Sequence, residues 1–325
     1  MFSRREFIAA SAAAGTALII PPAFAAPEKR FEGIFPILQT PFTDTGGLDS
    51  ATLEREVEFV HRIGVQGMAW PQLASEYPSL TPDERMAGAE AIVRAAKGLD
   101  SATRPAVIIG VQAPDSESAV RYARHAAKIG ADGVIAIPLN GGKNDDLQME
   151  YYKAIGAAST LPLFVQTIGP MSVDLVLRMA GQIPTLRYVK DEAGVTLPRL
   201  TDYRKRGQIL KAVFTGAHGK TFLDELARGA VGNMPAAGFA DLYVSAQTAW
   251  KQGRQDEAMA TFGVAELLIQ DAIAYGVPGQ KYILQLRGVF PNTKCREQKE
   301  SVVFDDEARE AIRRTVKYAQ KWFKA

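Results

Sequence analysis

From Phe31 onward the chain alternates between short apolar runs and longer segments whose apolar residues recur every three or four positions. Runs of the first kind read as strands buried on both faces, and segments of the second kind as helices with one buried face. The strands are predicted, in order, at 34–38, 67–70, 106–110, 133–137, 163–166, 187–189 with Lys190 at its end, 209–214, and a weak glycine-rich run at 229–234. The first helix starts at Asp49 or Ser50, either of which can cap it, and runs to about Ile63, where Gly64 ends it. Thr81 followed by Pro82 opens the second, which runs to about Lys97. Further helices are predicted over 116–129, 146–159, 173–181, 220–228 and 241–251, with none read between the sixth and seventh strands.

Eight strand–helix units in series favour an α/β fold of the (β/α)8 TIM-barrel type over an open doubly wound sheet. The barrel is assigned to residues 26–253. A C-terminal helical extension, 254–325, reads as helix broken near 276–279 and again at 288–292, packed on the barrel or on a neighbouring subunit.

The first 25 residues stand outside this rhythm. Arg4 and Arg5 lead into an alanine-rich apolar run ending at Ile20, and Ala23-Phe24-Ala25 offers a small-residue cleavage site. A charged start, short apolar middle and small-residue exit describe a signal peptide, not a membrane span. Ser3-Arg4-Arg5-Glu6-Phe7-Ile8 resembles the twin-arginine export signal. The expected location is therefore periplasmic or secreted, with no membrane contact after cleavage. With 38 basic against 36 acidic residues the formal charge is only +2, which removes the electrostatic case for a nucleic-acid partner. The single cysteine, Cys295, excludes an intrachain disulfide.

The segment from Leu186 to Gly194 carries the candidate chemistry. A lysine at the end of a short apolar strand is costly to desolvate unless it is paired or neutral. At the C-terminal end of a barrel strand it stands where such folds build active sites. It can act as an amine that condenses with a carbonyl to form a Schiff base. It can equally be a strand-end lysine paired with Asp191 or Glu192. The three histidines form no metal site by spacing: His61 and His125 fall inside helices, and His218 after the seventh strand could line the mouth. Gly141-Gly142 and the turn from Gly216 to Gly219 are weak phosphate-cradle signals.

Taken together, Phe35 to Phe42 with its Thr40-Pro41-Phe42 ending, Gly130-Ala131-Asp132-Gly133, Leu161 to Val165, Val189-Lys190-Asp191 and Lys281 to Val289 resemble, in order and spacing, the dihydrodipicolinate synthase/N-acetylneuraminate lyase family. The resemblance implies a TIM barrel, a Schiff-base lyase (aldolase or dehydratase) of a 2-oxo acid, Lys190 as imine former, no cofactor, and a homodimer or homotetramer. It also places the substrate carboxylate at the loop after the second strand, here Gln72-Leu73-Ala74-Ser75-Glu76, with Ser75 and backbone N–H groups of 74–76 binding and Glu76 anchoring the loop. Gln166 and Asn140 would read substrate hydroxyls, and Gly216 and Ala237 would complete the mouth.

Departures from the family's pattern narrow the subfamily. The two loop threonines and the proton-relaying tyrosine after the fourth strand are missing, the latter position reading Pro138-Leu139-Asn140. The serine–glutamate loop, Gln166 and Ala236-Ala237-Gly238-Phe239 resemble the branch containing 2-keto-3-deoxy-L-arabonate dehydratase, which implies a sugar-derived 2-keto-3-deoxy acid. The same losses also suit a catalytically altered barrel serving as an exported ligand- or partner-binding protein. A two-lobed periplasmic binding protein fits less well, because eight units in one domain leave no second lobe.

Overall fold

Among the described residues, seven short strands pair in parallel and strictly in chain order: β1 Gly67–Trp70, β2 Ala106–Gly110, β3 Gly133–Ala136, β4 Leu163–Thr167, β5 Leu186–Asp191, β6 Ala212–Thr215 and β7 Gly232–Asn233. The computed structural model describes residues 31–296 and 303–325, so the expected signal peptide lies outside the described residues. All of the described residues belong to the unit Phe31–Ala325.

The expected first strand is not a regular one. Residues 33–38 nevertheless hydrogen-bond to both ends of the sheet. Gly33, Phe35 and Ile37 donate to Val231, Asn233 and Pro235, while Leu38 donates to Ala69 and Ala69 donates to Pro36. Pro36 has no N–H to give, which breaks the ladder on the β1 side down to one bridge, Ile37 with Ala69, matched by Ile37 with Ala236 on the other.

Helices α1 Ser50–Arg62, α2 Pro82–Lys97, α3 Ser116–Ile129, α4 Asp145–Ala158, α5 Val173–Gln182, α6 Thr196–Arg206, α7 Phe222–Ala227 and α8 Ala240–Lys251 follow the strands. Their starts are chemically legible. Asp49 accepts from Thr52 N–H, and Thr81 and Glu84 cap one another reciprocally at α2. Helix α6 was not expected. Its sequence is mostly polar, with only Leu200 and Tyr203 buried, and Pro198 falls in its first turn, so neither periodicity nor composition advertises it.

Alternation along the strands separates two cores. Phe31, Phe35, Ile108, Phe164, Tyr188 and Phe214 point inward, whereas Met68, Trp70, Ile109, Val165 and Val189 face the helices. The inner aromatics fill one end of the sheet's interior: Phe164 stacks on Tyr188 at 4.6 Å, and Phe35 lies 4.9 Å from Phe214. Burying each such ring contributes about 1.5–3 kcal/mol. Above that layer, at the strands' C-terminal ends, the inward positions turn polar.

The last three helices are α9 Gln255–Ala274, α10 Gly276–Leu286 and α11 Asp306–Ala319. The helices break at Tyr275, beside the break expected near 276–279, and those four residues form the first turn of α10, where Pro278 loses nothing by lacking an N–H. Arg287, whose side chain is 3% exposed, ties α10 to α8 through a two-pronged pair with Asp241, at 2.9 and 2.8 Å.

Candidate active site

On β5 the period of two places Tyr188, Lys190 and, just past the strand, Glu192 on the inner side, and Asp191 on the outer. Asp191 therefore has nothing to do with Lys190. It takes a forked pair from Arg199 (Nη2 at 2.7 Å), a bond from Thr167 Oγ1 at 2.8 Å and another from the Tyr203 hydroxyl. Burial, and Asp191 beside it, push the Tyr203 phenol up. These contacts lock the end of β5 to β4 and α6. The unexpected helix is what holds the lysine's strand.

Lys190 is 4% exposed, with Nζ 3.1 Å from Glu192 Oε1. The same carboxylate accepts from the Ala217 backbone N–H at 2.7 Å and from the Gln166 amide. Burial alone would raise the Glu192 pKa. The Lys190 ammonium, the Ala217 N–H and the Gln166 amide overcome it and hold the group below the usual carboxylate range. Gly216 makes room for this arrangement, since a Cβ there would lie 1.9 Å from Glu192 Oε1. His218 follows in a left-handed turn (φ 64°), with its carbonyl held by the Tyr243 hydroxyl. Burial lowers the imidazole pKa, with Glu192 opposing and Lys190 assisting, so the ring is neutral at neutral pH.

A cavity of about 570 Å³ opens over these groups. It brings together Lys190, Gln166, Ala74 and Glu76 of the expected residues, takes in His218, which was expected as a candidate lining residue of the mouth, and adds Gln72, Glu192 and Ala217. The Oε1 atoms of Gln72 and Gln166 are buried and have no partner among the described residues. Glu76 is tied down: its carboxylate receives buried Lys281 and the Arg296 N–H at 2.8 Å.

The other expected residues lie elsewhere. Ser75 is fully buried, donates to Leu38 O at 2.5 Å and accepts from Gln72 N–H at 3.0 Å, so its hydroxyl braces the loop. The Ser75 and Glu76 N–H groups donate to Gln72 and Leu73 carbonyls. Asn140 is exposed in a left-handed turn away from the cavity wall. Gly216 and Ala237 are not on the wall, although Ala217 and Ala236 beside them are. Glu192 was legible only as a pairing partner for the lysine; its i+2 spacing from Lys190 was the signal that put both on one face. His61 of α1 pairs with Thr103 in the turn before β2, His125 of α3 pairs with Glu90 of α2, and no acid, histidine and cysteine cluster fit for a metal occurs among the described residues.

Residues 30–319 match the Dihydrodipicolinate synthetase family. The chain belongs to that family. It is 30% identical over 277 residues to an L-2-keto-3-deoxyarabonate dehydratase of Azospirillum brasilense, covering 82% of this chain and 88% of the relative. It is 29% identical over 284 residues to a probable 2-dehydro-3-deoxy-D-pentonate aldolase of Escherichia coli strain K12, covering 82% and 91%. The crystal structure of dihydrodipicolinate synthase from Rhodopseudomonas palustris superposes with a TM-score of 0.78 at 25% identity, covering 88% of this chain and 97% of that one. A family protein of an E. coli K12 prophage shares the fold at TM-score 0.80 and 20% identity, covering 89% and 99%. Within this family of lyases, the Lys190–Glu192 pair over an open cavity is the feature that organises the chemistry.

Proposed function

We propose that this chain is a (β/α)8 Schiff-base lyase, exported through its twin-arginine-type leader and acting as a homo-oligomer on a 2-keto-3-deoxy acid, the class to which the deoxy sugar acids belong. The hydrogen bonds of residues 33–38 to both β1 and the β7 end support closure by an eighth strand. The names of the two relatives above support the substrate class. The observation that carries the reading is the inward Lys190 on the cavity wall, 3.1 Å from an ionised Glu192.

Glu192 accepts a proton from Lys190, freeing the amine to add to the C2 carbonyl. Loss of water leaves a protonated imine. That imine is an electron sink, so a proton leaves C3 and an enamine forms. If the C4 hydroxyl then takes a proton and departs as water, the reaction is a dehydration. In the aldol branch the C3 proton stays: the C4 hydroxyl of the protonated imine gives up its proton, the C3–C4 bond breaks with its electron pair passing to the imine, an aldehyde leaves, and the enamine so formed is protonated at C3. Water hydrolyses the final imine and restores Lys190. Glu192 is the proton carrier in both branches, in place of the missing tyrosine. Gln166 and the Ala217 N–H fix its orientation.

Borohydride reduction in the presence of pyruvate, followed by peptide mass mapping, tests this. An adduct confined to Lys190 supports the reading, and no adduct there refutes it.

A further inference from the structure

The cavity is chemically divided. Its polar groups gather around Lys190, and beyond them the wall is apolar. Leu73, 52% exposed, and Ile273, 42% exposed, both line it, together with Val277 and Pro278 from the start of α10. Among the described residues, no serine, threonine or tyrosine lines the cavity. Two of the polar side chains farther out are already engaged. Glu76 holds Lys281, and Gln280 Oε1 accepts from Gln39. Beyond the reach of Gln72, Gln166 and His218, a chain of hydroxyls threaded outward from C4 would leave water for described side chains that are mostly apolar and return few hydrogen bonds. The volume, about 570 Å³, is also that of a site for a drug-sized ligand, more than a five-carbon acid fills.

We infer that the substrate is a 2-keto-3-deoxy-4-hydroxy acid whose C4 carries an apolar group, alkyl or aryl, packed against Leu73, Ile273 and Val277. This inference rests on the Schiff-base reading and narrows it. The 2-oxo acid end lies at Lys190 and Glu192, and specificity is set at the mouth. An apolar wall discriminates against an added hydroxyl by about 100-fold at most, so the preference over a polyol is large but not absolute.

The test compares turnover of 4-hydroxy-2-oxo-4-phenylbutanoate with that of 2-keto-3-deoxypentonate by the exported protein, scored for pyruvate release and for water loss. The expected result is kcat/KM about 10- to 100-fold higher for the phenyl acid. Leu73→Asn and Ile273→Asn are expected to lower that value about tenfold each. Equal or better turnover of the pentonate, or no turnover of the phenyl acid, overturns the inference while a pyruvate adduct at Lys190 leaves the lyase reading standing. Absence of that adduct overturns both.

Discussion

Replacing Glu192 by glutamine removes one charge and almost no volume. The new amide oxygen can still accept the Ala217 N–H, now at 2.7 Å from Glu192 Oε1. The new amide nitrogen would face the Gln166 amide nitrogen, but Gln166 has a buried, unpartnered Oε1. Turning that amide over restores a donor–acceptor pair, so the fold should lose no more than about 1 kcal/mol. Catalysis should lose far more. Lys190 is left without the carboxylate that carries its proton, and removing a positioned acid–base group costs about 10²–10⁴ in rate, or about 3–5 kcal/mol. The effect belongs to kcat, since the carboxylate acts on protons in flight and not on the bound acid. Steady-state kinetics beside urea unfolding separate the two quantities. If Glu192→Gln keeps kcat within threefold of the unmodified protein, Glu192 is not the proton carrier and the mechanism is wrong.

The same carboxylate sets a pH dependence. Its folded-state pKa lies below the ordinary value, so its stabilising contribution is present above the unfolded pKa of about 4.3 and is lost as pH falls through the folded one. The acid limb of kcat/KM should therefore fall below pH 4.5; a limb near 6 would contradict this. Gly216→Ala drives a Cβ into Glu192 and should lower kcat as Glu192→Gln does, with intact secondary structure by circular dichroism. Ser75→Ala strands the Leu38 carbonyl and the Gln72 N–H and should cost about 1–3 kcal/mol in urea unfolding. KM should stay unchanged in that variant, whereas a carboxylate-binding serine would raise KM and leave stability alone. Lys281→Met leaves buried Glu76 without its cation and should cost about 3–5 kcal/mol, with part of the loss recovered in the double variant with Glu76→Gln.

The sequence showed the strands and most helices because their signals are local. Apolar runs such as Ala106–Gly110 need only their own composition, and the ends of α1, α2 and α3 are written in Asp49, Thr81 and Gly130. Helix α6 escaped because its role is to reach Asp191 through Arg199 and Tyr203, a long-range contact that leaves little apolar periodicity. The candidate site divides the same way. Lys190 is marked by its position on a strand. Ser75 was named for its chemistry, but whether a hydroxyl faces a ligand or the Leu38 carbonyl depends on how the loop folds back. Glu192 was visible as a charge, yet its contacts with Gln166 and Ala217 come from neighbouring strands.

The proposed chemistry begins at Lys190. Incubation with pyruvate and borohydride should irreversibly inactivate the protein and add the mass of one reduced pyruvate imine to the peptide containing Lys190. Lys190→Arg should abolish both effects, since a guanidinium keeps the charge but cannot form the imine. Labelling of another lysine, or turnover surviving in Lys190→Arg, would contradict the account.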